Sequence, residues 1–587
     1  MVEIIIIIAF NNTERKNIMI MKNKGIKSIA FIAAAGFMAT SCDLIKDVEY
    51  VVTPSPLEMH GDSVRVKIDV IVPEKGISKK AYAEIVPMLG THTLKPVTIA
   101  GEKATANGAV IPYQAGGKVV YEDVIAYTPD LEVSELKLTG NIFKKGVEKG
   151  YIAETKIADA TVVTPLLVSK DFRVIIAADK FKRVTQEKQI AEINYLKGSP
   201  VVRSAEKVDE DMKALEAFMT AAQKNPKIKI NGIKIEAFAS IEGEEDRNNT
   251  LSEDRSKSAM KTAMEIAAKE NVANEAGQKD SNYSTFGKGE DYEGFKNALA
   301  SSDMDRGDKD RILRILEMQQ TPSAREQAIS DLSTYLYLDN NVFPAQRRSE
   351  IVVDYDLTGY SDEELTALSK SNIDTLNLEE ILFTATLSDD MNEKLRLYKE
   401  AERLYPNDYR SANNAGSVFY MQNKMTEAKT QFDKANGIQE NEISKNNLAA
   451  IAGVKGERQK AKDLLGEASG AGDEVSYNKG ILDIQDGNYD AALANFGGED
   501  TYNKALSQLL NKNDSGAKST IDASADAETA RGDYLKAIIA ARQDNIQEVI
   551  NNLKSAIAKD SSLKAKAARD REFIAYGENL AFIAVTK

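Results

Sequence analysis

The sequence predicts a multidomain α+β protein with three parts: an N-terminal antiparallel β-sandwich, a central α/β sandwich with a helical insert, and a C-terminal α-solenoid. Residues 64–70 alternate apolar and charged side chains, as a half-buried strand does. Apolar side chains in residues 208–222 recur at helical spacing between two strand candidates. After Pro406 the chain contains no proline and its pattern is helical. At 587 residues the chain is too long for a single core.

Composition excludes several classes of function. The formal net charge is −14, with no basic block in the body of the chain, so a phosphate backbone would be repelled and nucleic acid is excluded as a partner. Cys42 is the only cysteine, which rules out an internal disulfide and a thiolate zinc cage. His60 and His92 have no carboxylate at helical ligand spacing beside them, so we expect no metal site and no cofactor.

Residues 1–41 have the layout of a secretory signal peptide, with the natural start expected at Met21. Lysines 22, 24 and 27 form a positive region, and residues 29–38 form a short apolar region. The residues Ala39-Thr40-Ser41-Cys42 resemble a lipobox, the site at which bacterial lipoprotein precursors are cut before an acylated cysteine. The resemblance implies acyl chains on Cys42, a lipidated linker over residues 42–50, and a membrane anchor without a spanning helix.

Residues 51–187 are predicted as the β-rich domain. The alternation at residues 64–70 returns around Leu136 and Leu138, and breakers such as Ala115-Gly116-Gly117 divide the interval into short strands. The stretch 56–62 resembles an opening found in Bacteroidota envelope proteins. We interpret this domain as a spacer or docking module.

Residues 188–357 are predicted as the central domain, with a β-α-β order and a closing strand. Its second strand is followed by Ser240, Gly243, Asn248, Leu251, Ser252 and Arg255. Apart from Ser240, these match in register the signature of the OmpA-like peptidoglycan-binding family, and residues 346–353 resemble its final Arg-Arg strand. An insert of about seventy residues precedes that strand and resembles inserts in OmpA-like proteins of Bacteroidota.

The resemblance implies that this domain binds the diaminopimelate side chain of peptidoglycan, with Arg255 clamping the carboxylate. We therefore expect the Arg255 guanidinium to face an anion-accepting pocket. The family's aspartate, which holds the ammonium group, is replaced by Ser240, and a neutral hydroxyl supplies no countercharge. Glu242 or the following acidic residues are alternatives for that charge, and a solvated acidic loop at a helix start is another interpretation of them.

Residues 358–371 are predicted as a linker and residues 372–587 as a helical array. Small and aromatic residues there are spaced as in one tetratricopeptide repeat, which implies five or six helical hairpins, a capping helix near residues 565–584, and a groove that binds peptides or proteins. The residues that carry the resemblance are Ala412, Ala415, Gly416, Phe419, Ala428, Phe432 and Ala435.

Two functions follow from these predictions, and neither requires catalysis. The first is a lipid-anchored scaffold on the periplasmic face of the outer membrane, which binds peptidoglycan through the central domain and recruits envelope proteins through the repeats. The second is an accessory subunit of an outer-membrane assembly, secretion or fimbrial machine, in which the central domain docks proteins. An enzyme is disfavoured because the sequence contains neither a nucleophile elbow nor a histidine beside a serine motif.

Overall fold

The computed structural model describes residues 32–33, 44–269, 282–319 and 321–587. The described chain divides into two compact units, one of residues 1–177 with 407–587 and the other of residues 178–406. The predicted lipid-attachment residue Cys42 lies outside the described residues.

The N-terminal part of the first unit is a sheet of eleven described strands in the order β1-β2-β4-β3-β11-β10-β5-β7-β8, with β6 on β5 and β9 on β4. Most neighbours are antiparallel, as predicted, although β3–β11 and β7–β8 are parallel. The strands are β1 (Ile32–Ala33), β2 (Glu49–Val52), β3 (Leu57–His60), β4 (Ser63–Val72), β5 (Ala81–Leu89), β6 (His92–Thr93), β7 (Val97–Gly101), β8 (Ala109–Ile111), β9 (Gly117–Ala126), β10 (Ser134–Lys144) and β11 (Val147–Val162).

The alternation of apolar and charged residues explains which side chains of this sheet are buried. In β4 the apolar residues Val64, Val66, Ile68 and Val70 are buried, whereas the charged residues between them are not. They belong to the same apolar cluster as Ile85 of β5. β4 and β5, which are not neighbours in the strand order, therefore contribute to the same apolar core.

Residues 407–587 of the first unit form a helical array. Five helical hairpins follow one another, and two short helices and a 3₁₀ turn at residues 571–576 follow them, where the sequence predicts one capping helix. The hairpins are α10 (Tyr409–Met421) with α11 (Met425–Ile438), α12 (Glu442–Val454) with α13 (Arg458–Gly466), α14 (Asp473–Asp486) with α15 (Tyr489–Phe496), α16 (Tyr502–Leu510) with α17 (Asp514–Ala523), and α18 (Ala530–Arg542) with α19 (Ile546–Lys559); the short helices are α20 (Leu563–Ala567) and α21 (Leu580–Thr586).

Small residues allow the helices of a hairpin to approach closely, as the repeat pattern predicts. A Cβ on Gly416 would lie 2.7 Å from the Phe432 ring, and one on Gly480 would lie 2.6 Å from the Phe496 ring. The array is therefore similar to a tetratricopeptide-repeat solenoid in how its hairpins pack.

The β-rich part also contacts the array. Gly61, with φ +57°, lies in a turn where a Cβ would be 2.8 Å from the carbonyl oxygen of Asp486. Arg458 donates to Asp62 at 2.8 Å, and the His60 ring lies 5.1 Å from that of Tyr489. The turn at residues 60–62 of the β-rich part, which the sequence predicts as a spacer or docking module, therefore contacts the array.

The second unit contains a four-stranded sheet in the order β12-β15-β13-β14, in which β13 and β14 are parallel. The first two strands, the helix between them and the closing strand are as predicted, whereas the strand at residues 283–290 lies in the stretch predicted as a helical insert. The strands are β12 (Val184–Asn194), β13 (Ile228–Ala239), β14 (Tyr283–Glu290) and β15 (Arg348–Thr358), and the sheet packs against α1 (Glu210–Lys224) and α2 (Glu245–Lys269).

Residues 292–341 of the insert and the segment after the sheet are mainly helical. The insert has its own apolar cluster, and the predicted linker contains a helix with a capping box at Ser361. The helices are α3 (Tyr292–Ser301), α4 (Arg306–Met318), α5 (Pro322–Ser330), α6 (Tyr335–Asn341), α7 (Asp362–Ser371), α8 (Leu378–Thr386) and α9 (Met391–Leu404).

Candidate functional sites

An extended segment of the chain, residues 169–177, lies on the first helices of four successive hairpins in the array. We call it the inner segment, and we call the surface that holds it the groove. The inner segment contains no helix or strand, whereas the sequence places it inside the β-rich domain. A groove that the sequence predicts to be open to partners is filled by the chain itself.

Four buried asparagines hold the main chain of the inner segment. Each carboxamide Oδ1 accepts a backbone N–H at 2.7–2.9 Å, and each Nδ2 donates to the carbonyl of the same residue at 2.8–3.0 Å. A carboxamide has a carbonyl oxygen that accepts and an NH₂ group that donates, so it can pair with both the N–H and the C=O of one residue. The pairs are Asn503 with Ser169, Asn478 with Arg173, Asn447 with Ile175, and Asn414 with Ala177.

Neighbouring polar side chains orient these carboxamides. Asn413 accepts from Asn447 at 2.9 Å, and Asn446 accepts from Asn478 at 3.0 Å. All four side chains are at most 1% exposed. Because each carboxamide is bonded on both sides, the network fixes one orientation for it.

Phe172 occupies a gap in the groove. Its side chain is 3% exposed and belongs to the apolar cluster of the array. A Cβ on Gly453 would lie 2.4 Å from the Phe172 ring. The missing side chain at Gly453 therefore makes room for an aromatic residue.

Charged side chains on either side of Phe172 also have partners. Asp171 accepts from the Tyr477 hydroxyl at 3.0 Å. Arg173 lies over the Tyr477 ring at 3.6 Å and donates twice to Glu499, at 2.7 and 2.8 Å. These hydrogen bonds lower the pKa of Glu499 and raise the pKa of Arg173.

The residues of the family signature in the central domain stabilise the loop between Ser240 and Asn248. The Asn248 Nδ2 donates to the carbonyls of Ser240 and Glu242, both at 3.1 Å, and to the Glu290 carboxylate at 3.0 Å. Gly243 has φ +94°, a backbone conformation that favours glycine. Farther along α2, Leu251 is partly buried and Ser252 accepts from the Gly289 N–H at 2.9 Å.

Arg255 is buried, with 1% of its surface exposed. It donates to the carbonyls of Ser199, Phe238 and Leu196 at 3.1, 2.8 and 3.2 Å, and its guanidinium lies 5.1 Å from the Tyr195 ring. Burial lowers its pKa to about 10. The expectation that this guanidinium faces an anion-accepting pocket is wrong, because the main chain around β12 and β13 surrounds it.

Glu242 lies in an internal ionic network beside Ser240. Arg347 donates to Glu242 at 2.5 Å and to Asp339 at 2.8 Å, and the Ser240 hydroxyl donates to Glu242 at 3.0 Å. Burial raises the pKa of Glu242, although Arg347 and Lys197 oppose that shift. Among the predicted sources of negative charge, Glu242 is therefore already paired within the domain.

The helical insert covers this loop. Ile241 is 2% exposed and belongs to the apolar cluster of the insert, together with Phe295, Leu299 and Phe343. Asp339, which binds Arg347, is also an insert residue. Peptidoglycan binding by Ser240, Gly243, Asn248, Leu251 and Arg255 stays a prediction, and Arg255, which supplies the guanidinium of this set, is buried.

The described residues contain no group of three or more His, Cys, Asp or Glu side chains that could hold a metal ion. His92 pairs with Asp130 at 3.0 Å. Within the same residues, no helix has both the length and the apolar character needed to cross a bilayer.

The asparagines of the groove are not among the residues predicted from the sequence. A signal was present: three of them, Asn414, Asn447 and Asn478, recur at intervals of 33 and 31 residues, each two positions before a small residue. Polar residues are rarely fully buried unless paired, so a periodic asparagine on a predicted buried helix face indicates a polar ligand.

No protein-family model matches the chain, and no curated protein matches it. Among solved structures, the chain is similar to a tetratricopeptide repeat protein from Parabacteroides merdae, at 15% identity over 38% of this chain and 90% of that one, with a TM-score of 0.27. It is similar to YrrB, a TPR protein with an unusual peptide-binding site, at 20% identity over 35% of this chain and 99% of that one, with a TM-score of 0.21. Yeast Tom70 is matched at 13% identity over 66% of this chain and 78% of that one, with a TM-score of 0.24.

Proposed function

We propose that the protein is a non-catalytic scaffold of the bacterial envelope that docks other proteins, as an accessory subunit of an outer-membrane assembly, secretion or fimbrial machine. The observation that supports this proposal is the groove, where four buried asparagines present donor–acceptor pairs to a peptide main chain. Such a surface serves protein recognition rather than covalent chemistry. In this proposal, acyl chains on Cys42 hold the chain at the periplasmic face of the outer membrane.

A peptidoglycan tether is the second candidate. Its support is the register of Gly243, Asn248 and Arg255 after the second strand of the central domain. The burial of Arg255 and the pairing of Glu242 with Arg347 weigh against it. A ligand carboxylate would first have to displace those internal partners, which carries the cost of unpairing buried charges.

Capture from native membranes tests the docking function. The full chain, tagged after Lys587 and crosslinked in cells, should co-purify with envelope proteins at a fixed ratio. A Cys42→Ser variant should lose its acyl chains, seen by mass spectrometry, and leave the membrane fraction. Recovery of the crosslinked wild-type chain alone would contradict the scaffold proposal.

Sedimentation with purified sacculi separates the two candidates. We expect the full chain to stay in the supernatant. A Ser240→Asp variant, which restores the carboxylate of the family signature, is the matched comparison. Sedimentation of the wild-type chain would favour the tether.

A further inference from the structure

The groove has the features of a sequence-specific peptide site, and its present occupant shows what it accepts. Main-chain contacts at Arg173, Ile175 and Ala177 would hold any extended peptide. Contacts to the side chains of residues 171–173 are different, since they distinguish one sequence from another. We propose that the groove recognises an extended partner segment with an acidic, an aromatic and a basic residue in that order, and that the inner segment occupies this site until such a partner displaces it.

The acidic position is defined by donors. The Asp171 carboxylate accepts from the Tyr477 hydroxyl and from the Asn503 Nδ2, both at 3.0 Å. Arg531 adds positive charge at 3.9 Å. Because donors and a cation converge on this position, a basic residue would be rejected there.

The basic position is defined by Glu499 and Tyr477. A guanidinium at this position forms two parallel hydrogen bonds to the carboxylate and lies on an aromatic ring. A planar guanidinium satisfies both contacts at once, whereas an ammonium group lacks the planar fork that makes two parallel bonds to one carboxylate and lies flat on a ring. Arginine is therefore the preferred residue.

The aromatic position is defined by space. The Phe172 ring lies 2.4 Å from where a Cβ on Gly453 would be, so the groove fits a flat ring without a side chain at that helix position. Phe172 is the most buried of the three side chains. Burial of this ring contributes apolar stabilisation, and the charged residues on either side specify the order of residues along the bound segment.

An intramolecular occupant competes with any partner. The inner segment is joined to the chain at both ends, so its effective concentration at the groove is of the order of millimolar. A partner with the same contacts binds only when the inner segment is weakened or when the partner adds contacts elsewhere. The inference thus rests on the proposed docking function and names the chemistry of the docked segment.

Peptide binding to the full chain tests the inference. The probe is a fluorescent peptide with the sequence of residues 167–178, and anisotropy measures its affinity. An Arg173→Glu variant places a like charge beside Glu499 and weakens only the resident segment, so it should bind the peptide at least tenfold more tightly than wild type. Lys170→Glu, at an exposed neighbouring position, should behave as wild type.

Two further arms test the sequence rule. Adding Glu499→Arg to Arg173→Glu restores an ion pair inside the chain, and the peptide should again bind weakly. A peptide with its Asp and Arg exchanged should bind the Arg173→Glu chain at least tenfold less tightly than the native peptide. Equal binding of the two peptides would overturn the rule.

Folding is checked by circular dichroism. If Arg173→Glu loses helical signal, Phe172→Leu, which keeps an apolar side chain of similar size, replaces it with the same expected result. A folded variant that binds the peptide no better than wild type would overturn the inference. If that chain still captures envelope proteins from native membranes, the docking function stands and the groove is not its site.

Discussion

At the scale of single residues, the fold depends on buried polar side chains whose donors and acceptors are hydrogen-bonded. Arg255 binds three carbonyls, and each groove asparagine binds both polar groups of one residue. A hydrogen bond contributes modestly to stability, but leaving a buried partner unsatisfied costs about 1–3 kcal/mol. Truncation of these side chains should therefore be costly.

Arg255→Ala should lower the free energy of unfolding by about 3 kcal/mol or more, because three carbonyls lose a donor and a cavity forms. Urea denaturation followed by circular dichroism measures the change. Lys257→Ala, on the same helix with its side chain 63% exposed, is the control and should shift stability by less than about 0.5 kcal/mol. Similar stabilities for the two variants would contradict a structural role for Arg255.

Gly453→Ala should destabilise the chain by about 1–3 kcal/mol, since the new methyl group would lie 2.4 Å from the Phe172 ring. Gly437→Ala is the matched control in α11, where a Cβ would meet nothing within 4 Å. There the substitution should be neutral or stabilise by up to about 1 kcal/mol. Thermal unfolding of both variants makes the comparison, and a neutral Gly453→Ala would show that the ring does not fill that gap.

At the scale of elements, the inner segment is held by contacts to other elements. It contains no helix or strand, and four of its amides donate to asparagines from four different helices. Strands and helices are predictable from local periodicity, and this segment has none. Its conformation depends on residues hundreds of positions later in the chain.

Asn447→Ala should expose the Ile175 amide, which loses its acceptor at 2.7 Å. Hydrogen exchange measured by mass spectrometry should show faster exchange across residues 173–177, with the stability of the chain lowered by about 2 kcal/mol. Asn551→Ala, at an exposed position of α19, should leave exchange there unchanged. Unaltered protection in Asn447→Ala would mean that the asparagine does not hold the segment.

The Arg173–Glu499 pair predicts a pH dependence. Arg173 lowers the pKa of Glu499, so the folded chain favours the ionised carboxylate; this stability is present above the ordinary glutamate value of about 4.3 and is lost as the pH falls through the lowered value. Because Glu499 is 55% exposed, the contribution at neutral pH is under about 1 kcal/mol. Wild type should exceed Glu499→Gln in thermal midpoint at pH 7 and match it near pH 3. If the difference in thermal midpoint between wild type and Glu499→Gln grew as the pH fell, the Arg173–Glu499 pair would not be the source of this stability.

At the scale of the whole molecule, the sequence predicted the periodic elements well. The strand at residues 228–239 is confirmed as β13, and the predicted helix is confirmed as α1 with Met212, Leu215 and Met219 buried. Val208, predicted on the same face, is 61% exposed because it lies in a short 3₁₀ turn before α1. The apolar periodicity predicts that a helix is present, whereas the residue at which the helix begins depends on its N-cap, Asp209.

The candidate sites were predictable only in part. The loop from Ser240 to Asn248 is predictable from the sequence, yet the burial of Arg255 is not, because it depends on carbonyls 56 and 59 residues earlier in the chain. The groove was anticipated from the repeats, whereas its occupant was assigned to the β-rich domain. In both cases the deciding contacts join residues far apart in sequence, and local periodicity carries no information about them.

The inner segment also has a consequence for how the molecule is assembled. Ser169 and its partner Asn503 are 334 positions apart in sequence, and Ala177 and Asn414 are 237 positions apart. During synthesis the segment emerges long before its asparagines exist, so its amides stay solvated while the N-terminal sheet forms. Contacts of such high sequence separation slow folding. Refolding should therefore be biphasic, with Phe172 burial in the slow phase, and a chaperone that shields residues 169–177 would have the whole interval in which to act.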